Sequence, residues 1–469
     1  MKSKIIICAL LFVIYSLLAL FVFSPRMPPT GDEPHYLITA HSIAVDGDIS
    51  LLNNYRNRDY RIFYPGVIAK RTTRGADPSV ELPAFSPGLS FFLSPFYKIA
   101  INLFPGFLVP FLRLVICGVT VIAIYQLMTL IETFGKPTSL IPLAGSVLAS
   151  PLITYSCQFY PEILAFLLLI LVLVQFQRIE KTPVKSFILL SLISPALLWL
   201  HPKYLILSVL VFGISCFMFA RLARNAPTKK IRIIQCLQIL ISLAGIFGFF
   251  VFLHSYYGSW SPNRIYGGVQ RETSLIELVQ TLGWERLHIM FRMIFGYWMD
   301  ERFGLIPYAP IYAAFFSAFV YSLKKYRYQM VPAAILFVAH FLLISWAAQM
   351  GGYSPPSRHM VALLSTILLP ILLVFFDWTH NQKMLFLALE VLGWVIAAAM
   401  VTHYRLIFTE ATWRKPDGGS VFWQWTGLER WIPNLTATDP DVSLIIIWVC
   451  ITLLISVALY PRSSRIQSE

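Results

Sequence analysis

Asp32 and Glu33 stand side by side in "GDEPHYL", directly after the first apolar run of the chain, and His35 follows two places on. Further along, Asp46 and Asp48 flank a glycine in "VDGDISLLN", and Glu162 follows a proline in "QFYPEI". His201 and Lys203 share "LHPKYL", while Arg358 and His359 share "GGYSPPSRHM". All lie at or beside the ends of apolar runs, where charge is costly to desolvate and usually has a reason. Carboxylates suit a general base, since an attacking hydroxyl must lose its proton. Cations suit a phosphate, because arginine offers a planar fork of donors and lysine a compact charge. Each group also has an ordinary alternative: a water-facing helix-end acid for Asp32 and Glu33, snorkelling for Lys203, and a loop salt bridge for Arg358.

What must position these groups follows from composition. Of 469 residues, 57% are apolar and only 13% charged, far outside the range of soluble domains. Crossing hydrocarbon takes about 20 apolar residues per helix, and the runs here lack the short alternation of a membrane barrel. The fold class is therefore an all-α polytopic membrane protein. Runs of suitable length predict about 12 transmembrane helices, near 4–23, 107–131, 139–157, 160–178, 186–200, 203–221, 233–254, 304–322, 330–348, 359–377, 384–403 and 443–460. The first run is long and no small-residue cleavage site follows it, so it reads as a retained helix. The whole chain, 1–469, reads as one transmembrane domain.

Basic residues decide the orientation. Connections on one side hold Lys2, Lys4, Lys136, "RIEKTPVK", "RLARNAPTKKIR", "KKYR", Lys383 and the arginines of the tail. Short connections on the other side hold only Lys203 and Arg358. The positive-inside rule then puts both termini in the cytoplasm of a multi-pass plasma (inner) membrane protein. Three long loops, 24–106, 255–303 and 404–442, face the extracytoplasmic side. "SPGLSFFLSPFYKIAINLF" and "LIELVQTLGWERLHIMFRMIFGYW" are expected as interfacial helices within them, and Trp413, Trp423, Trp425 and Trp431 as a headgroup-level belt. A net charge of +14 is explained by topology rather than by nucleic acid, because it is dispersed in short clusters. The six cysteines form no CxxC pair, which argues against a zinc site or a disulfide framework.

In this topology Asp32, Glu162, His201, Lys203, Arg358 and His359 share one membrane depth, and acids and bases are expected to converge on one extracytoplasmic cavity. A lipid-linked sugar phosphate satisfies both, its phosphate at the interface and its tail among the helices.

These residues also carry a resemblance. In "GDEPHYL", "DGDI", "FSPGLSFFLSPFY", "YPE", "HPKY", "FGLIPYAPIY" and "GGYSPPSRHM" the chain resembles the GT-C superfamily of membrane glycosyltransferases, similar to protein O-mannosyltransferases and the aminoarabinose transferase of lipid A. The resemblance implies sugar transfer from a polyprenyl-phosphate donor, with inversion, to a glycan or lipid acceptor of the cell envelope. It implies Asp32 as the base with Glu33 as its neighbour, and Glu162 as a second acid positioning acceptor or sugar. Lys203, Arg358, His201 and His359 are then expected to hold the departing phosphate, with Asp46 and Asp48 on the same loop as further substrate-binding candidates. A divalent metal between two acids and the donor phosphate is chemically compatible; none is predicted. No large soluble domain lies between the central helices, and the WWDYG-type signature of oligosaccharyltransferases is absent, so a small or lipid-linked acceptor is expected. The competing classes are a transporter or flippase of lipid-linked sugars, which would place charges near the bilayer midplane, and an O-antigen polymerase or ligase, which the early acid pair argues against.

Overall fold

In hydrocarbon a backbone must satisfy its own polar groups, so a long apolar run becomes a helix. The computed structural model describes residues 2–225, 229–266, 283–347, 353–408, 419–437 and 439–461, and eight of its helices are long and apolar enough to cross a membrane. In chain order the helices are α1 (Lys2–Leu17, continued as a π-helix to Phe23), α2 (Glu33–His41), α3 (Gly88–Leu103), α4 (Leu108–Thr133), α5 (Leu140–Val147), α6 (Pro161–Arg178), α7 (Pro183–Leu200) and α8 (Leu205–Asn225). They continue as α9 (Lys229–Tyr257), α10 (Trp284–Met299), α11 (Phe315–Lys325), α12 (Arg327–Ala347), α13 (Leu364–Val374), α14 (His380–Thr402), α15 (Val421–Thr426) and α16 (Val442–Ala458).

Four of the expected spans are shorter or broken. The run at 139–157 yields α5 and a single turn from Leu152 to Tyr155, parted around Pro151. Pro307 and Pro310 keep 304–314 out of α-helix, so that α11 begins only at Phe315. Such breaks follow from proline, which lacks the N–H a helix interior needs. The tenth expected span begins as a short 3-10 turn after Ser357, whose φ is +63°, and α13 has 11 residues. The last, α16, has 17 residues. The chain forms two compact units: residues 1–123 with 156–287, and residues 124–155 with 288–469.

In the first unit α7 is the central helix, packed against α6, α8 and α9. The long loop 24–106 folds over it. Its two-stranded hairpin pairs Thr73 with Leu82, and Tyr257 of α9 donates its hydroxyl to the Pro83 carbonyl at 3.0 Å. Leu82, Leu198, Phe249 and Leu253 share one buried cluster, with Trp199 packed against it. The expected interfacial helix of this loop is α3, 16 residues long, whose Leu89, Leu93, Tyr97 and Ala100 are buried and recur at helical spacing. Just before it, Ser86 donates to the Trp199 carbonyl at 2.7 Å, and Gly88 lies so close to that carbonyl that a Cβ would overlap it. The "FSPG" motif thus fastens the loop to the last turn of α7, two residues short of His201.

In the second unit α14 packs against α5 and against the short 3-10 turn Pro310–Ala314, and α11 packs against α12, α13 and α16. Glu390 of α14 is fully buried against Gly145 of α5, where any larger residue would collide with its carboxyl. The last two thirds of the second amphipathic stretch lie in and just before α10; its first eight residues, 275–282, lie outside the described residues, as does Trp413.

Candidate functional site

Gly31, at φ +61°, turns the chain into α2, with Asp32 at the N-cap position and Pro34 in the first turn. The two adjacent acids then part. Glu33 is 1% exposed; its Oε2 accepts from the Thr30 amide at 2.9 Å and its Oε1 from the Phe159 amide at 2.9 Å. The first contact ties the first residue of α2 back to the turn that precedes the helix, and the second fastens the start of α2 to the turn that leads into α6. Asp32 caps no amide of α2 with its side chain and is only partly covered.

Three residues beyond Phe159 comes Glu162, in the first turn of α6 and fully buried. Its Oε1 lies 2.6 Å from Nζ of Lys203, whose side chain is 8% exposed. Lys203 sits in the 3-10 turn Pro202–Tyr204 that joins α7 to α8, with its ammonium 5.2 Å from the Tyr204 ring. His201 orders the same turn: its Nδ1 accepts from the Lys203 amide at 3.1 Å, which leaves Nε2 as the N–H directed at the Tyr266 hydroxyl, 2.9 Å away. Asp32, Glu33, Glu162, His201 and Lys203 thus belong to one unit, and the contacts of Glu33 and Glu162 tie the start of α2 to the entry of α6 and the start of α6 to the α7–α8 turn.

Sequence reasoning missed Arg113, a 1% exposed arginine in α4 whose Nη1 donates to the Cys157 carbonyl at 3.4 Å and whose guanidinium stands 5.6 Å from the Phe159 ring. A lone arginine inside the apolar run "FLRLVICG" was the available signal. His35 is buried beside Tyr55, with Nδ1 3.2 Å from its hydroxyl, and stacks on Phe85 at 5.1 Å. Burial holds its pKa down at about 4, against a smaller opposing pull from Asp32.

Asp46 and Asp48 are not brought to this set. Asp46 ends the short π-helix Ser42–Asp46 that continues α2, and Asp48 lies just beyond it, which puts Asp46 roughly 20 Å from Asp32 at the rise of a helix. Asp46 accepts from Asn53 at 3.0 Å and Asn54 at 2.7 Å, and Asp48 from the Ser42 hydroxyl and the Ser50 amide, both at 2.9 Å. Both shape the turn at Gly47.

Arg358 and His359 belong to the second unit, each 7% exposed. Their turn is held by Ser357, which donates to the Gly304 carbonyl at 2.9 Å, and by Tyr155, which donates to the Pro355 carbonyl at 2.6 Å. The segment so contacted ends a second charged group, Asp300, Glu301 and Arg302, unforeseen from sequence although "MDERFG" carries three consecutive charges between apolar runs. Asp300 is buried and accepts from the amides of Arg302, Phe303 and Leu435 at 2.8, 3.1 and 2.8 Å, organising that turn; burial pushes its pKa up. Burial, and then the neighbouring Asp300, push Glu301 up to about 7. Among the described residues, no group of three or more His, Cys, Asp or Glu side chains is gathered as a metal would need.

Two of the solved structures that are similar to this chain cover most of it. Both are of the Archaeoglobus fulgidus oligosaccharyltransferase. The apo form is 15% identical over 89% of this chain and 57% of that one, with a TM-score of 0.41. The complex with Zn and sulfate is 13% identical over 87% of this chain and 54% of that one, with a TM-score of 0.39. The chain therefore spans little more than half the length of these proteins. No protein-family model matches the chain, and no curated protein sequence does.

Proposed function

We propose that this protein is a membrane glycosyltransferase that moves a sugar from a polyprenyl-phosphate donor to a hydroxyl of a glycan or lipid acceptor, on the extracytoplasmic face of the plasma membrane. The observation that supports the reading is that one unit holds a partly covered carboxylate at Asp32, its neighbour Glu33 bonded to the Phe159 amide just before α6, and the buried Glu162–Lys203 pair with the His201 turn. In the proposed step Asp32 takes the proton of the acceptor hydroxyl as that oxygen bonds to the anomeric carbon. The bond from that carbon to the phosphate oxygen breaks, and its electron pair leaves on the polyprenyl phosphate. Lys203 and His201 offset the charge that develops on the phosphate, as preorganised donors do elsewhere. Glu33 is a positioning residue, and Glu162 orients Lys203. Arg358 and His359 lie in the other unit and are given no step. No step is assigned to a metal.

The test is transfer by purified protein in nanodiscs, supplied with a radiolabelled polyprenyl-phosphate sugar and an envelope-lipid extract. Labelled acceptor should form, and Asp32→Asn should abolish it while donor binding persists. Undiminished transfer by Asp32→Asn would remove the assigned base.

A further inference from the structure

At the opposite end of α7 from His201, a groove of about 600 Å³ opens between the first turns of α7 and α9. An 18-residue helix is about 27 Å long, so the groove lies one membrane thickness from the candidate site. Its walls are Thr182, Val184, Lys185, Ile188, Leu189 and Lys230. Both lysines are exposed, and among the described residues neither makes an ion pair. In sequence, the two connections that carry these lysines, 178–185 and 221–232, also hold Arg178, Lys181, Arg221, Arg224, Lys229 and Arg232, against the single acid Glu180. The side chain of Thr182 donates to the Arg178 carbonyl instead of capping α7, so the first amides of that helix lack a side-chain cap.

Apolar surface descends from the lysines along both helices. Val184, Ile188 and Leu192 recur every fourth residue on α7, and Ile233, Leu237 and Leu240 at spacings of four and three on α9; all six are exposed. A soluble anion would use the lysines and leave these stripes uncovered. A lipid uses both, with its headgroup between Lys185 and Lys230 and its acyl chains against the aliphatic stripes.

We infer that this groove binds one anionic glycerophospholipid of the bilayer, recognised by its phosphate through Lys185, Lys230 and the open N-terminus of α7. Basic pockets between membrane helices are the usual form of such recognition. The lipid would steady the foot of the helix whose head carries His201 and Lys203.

Native mass spectrometry of the full chain, released from mixed micelles of phosphatidylglycerol and phosphatidylcholine, reads the site. One phosphatidylglycerol should be retained in preference to phosphatidylcholine. Lys185→Ala with Lys230→Ala should weaken that retention about twenty-fivefold, at about fivefold per lysine, and the two Lys→Arg changes should preserve it. Lys229→Ala with Arg232→Ala, outside the groove, should leave it unchanged. A tryptophan introduced by Ile188→Trp should be quenched more by bromo-acyl phosphatidylglycerol than by the phosphatidylcholine analogue, which reads the site in a variant that keeps both lysines. Equal retention of the two lipids, an equal loss in the Lys229/Arg232 variant, or displacement of the lipid by inorganic phosphate alone would each overturn the proposal.

Discussion

Nζ of Lys203 lies 2.6 Å from Oε1 of Glu162, and the two side chains are 8% and 0% exposed. Removing one partner of such a pair strands a charge away from water, which costs about 3–5 kcal/mol, whereas removing both costs far less. Lys203→Met and Glu162→Gln are each expected to lower the melting temperature in detergent by several degrees. The double variant should recover most of that loss. If Lys203 also serves the donor phosphate, the recovered double variant stays inactive, and this combination of a restored melt with absent transfer separates the two roles.

Asp32 and Glu33 should separate just as cleanly. Glu33→Gln keeps one acceptor oxygen but sets an NH2 group against either the Thr30 or the Phe159 amide, and a buried donor left unsatisfied costs about 1–3 kcal/mol. Its first effect is therefore on stability. Asp32→Asn, nearly isosteric at a partly covered position, should reduce transfer at least about a hundredfold, the usual scale for a lost general base, with a smaller change in the melt than Glu33→Gln. Thermal unfolding and transfer assays on the same two preparations check both.

Gly88→Ala introduces a methyl group where the Trp199 carbonyl already stands. Backbone on backbone cannot yield as a flexible side chain would, so α3 or the last turn of α7 must shift. A lower melting temperature is expected together with reduced transfer, because the turn bearing His201 and Lys203 begins two residues after Trp199. Gly106→Ala, with open space around it, should change neither measurement.

Two buried groups give stability opposite dependences on pH. His35 has a pKa of about 4 in the folded protein against its ordinary 6.5, so between those values the unfolded chain binds a proton that the folded one refuses. Its contribution is complete above pH 6.5 and is lost as pH falls toward 4. Glu301 is raised from 4.5 to about 7, so the folded protein holds the extra proton. That contribution is complete below pH 4.5 and is lost as pH rises through 7. Melting temperatures of His35→Asn and Glu301→Gln, each subtracted from the parent across pH 4 to 8, should show slopes of opposite sign.

Hydropathy adds along consecutive residues, so the eight long apolar helices and the membrane class are readable from the chain alone. The same sum overlooks single prolines, which is why 139–157 and 304–322 read as spans although they form shorter pieces. Charge at a helix mouth is equally visible, and it marked Asp32, Glu33, Glu162, His201 and Lys203. What each charge does depends on partners distant in sequence. Glu33 differs from Asp32 because an amide 126 residues away reaches it, and Glu162 meets Lys203 across 41 residues. Asp46 and Asp48 look like the other acids until Asn53, Asn54 and Ser42 are seen to use them, and Arg113 hid in an apolar run until folding set it beside Cys157 and Phe159. Local composition decides where a helix forms and where a charge can be tolerated; only the closed tertiary packing assigns each buried donor its acceptor, because that pairing is made between segments and not within them.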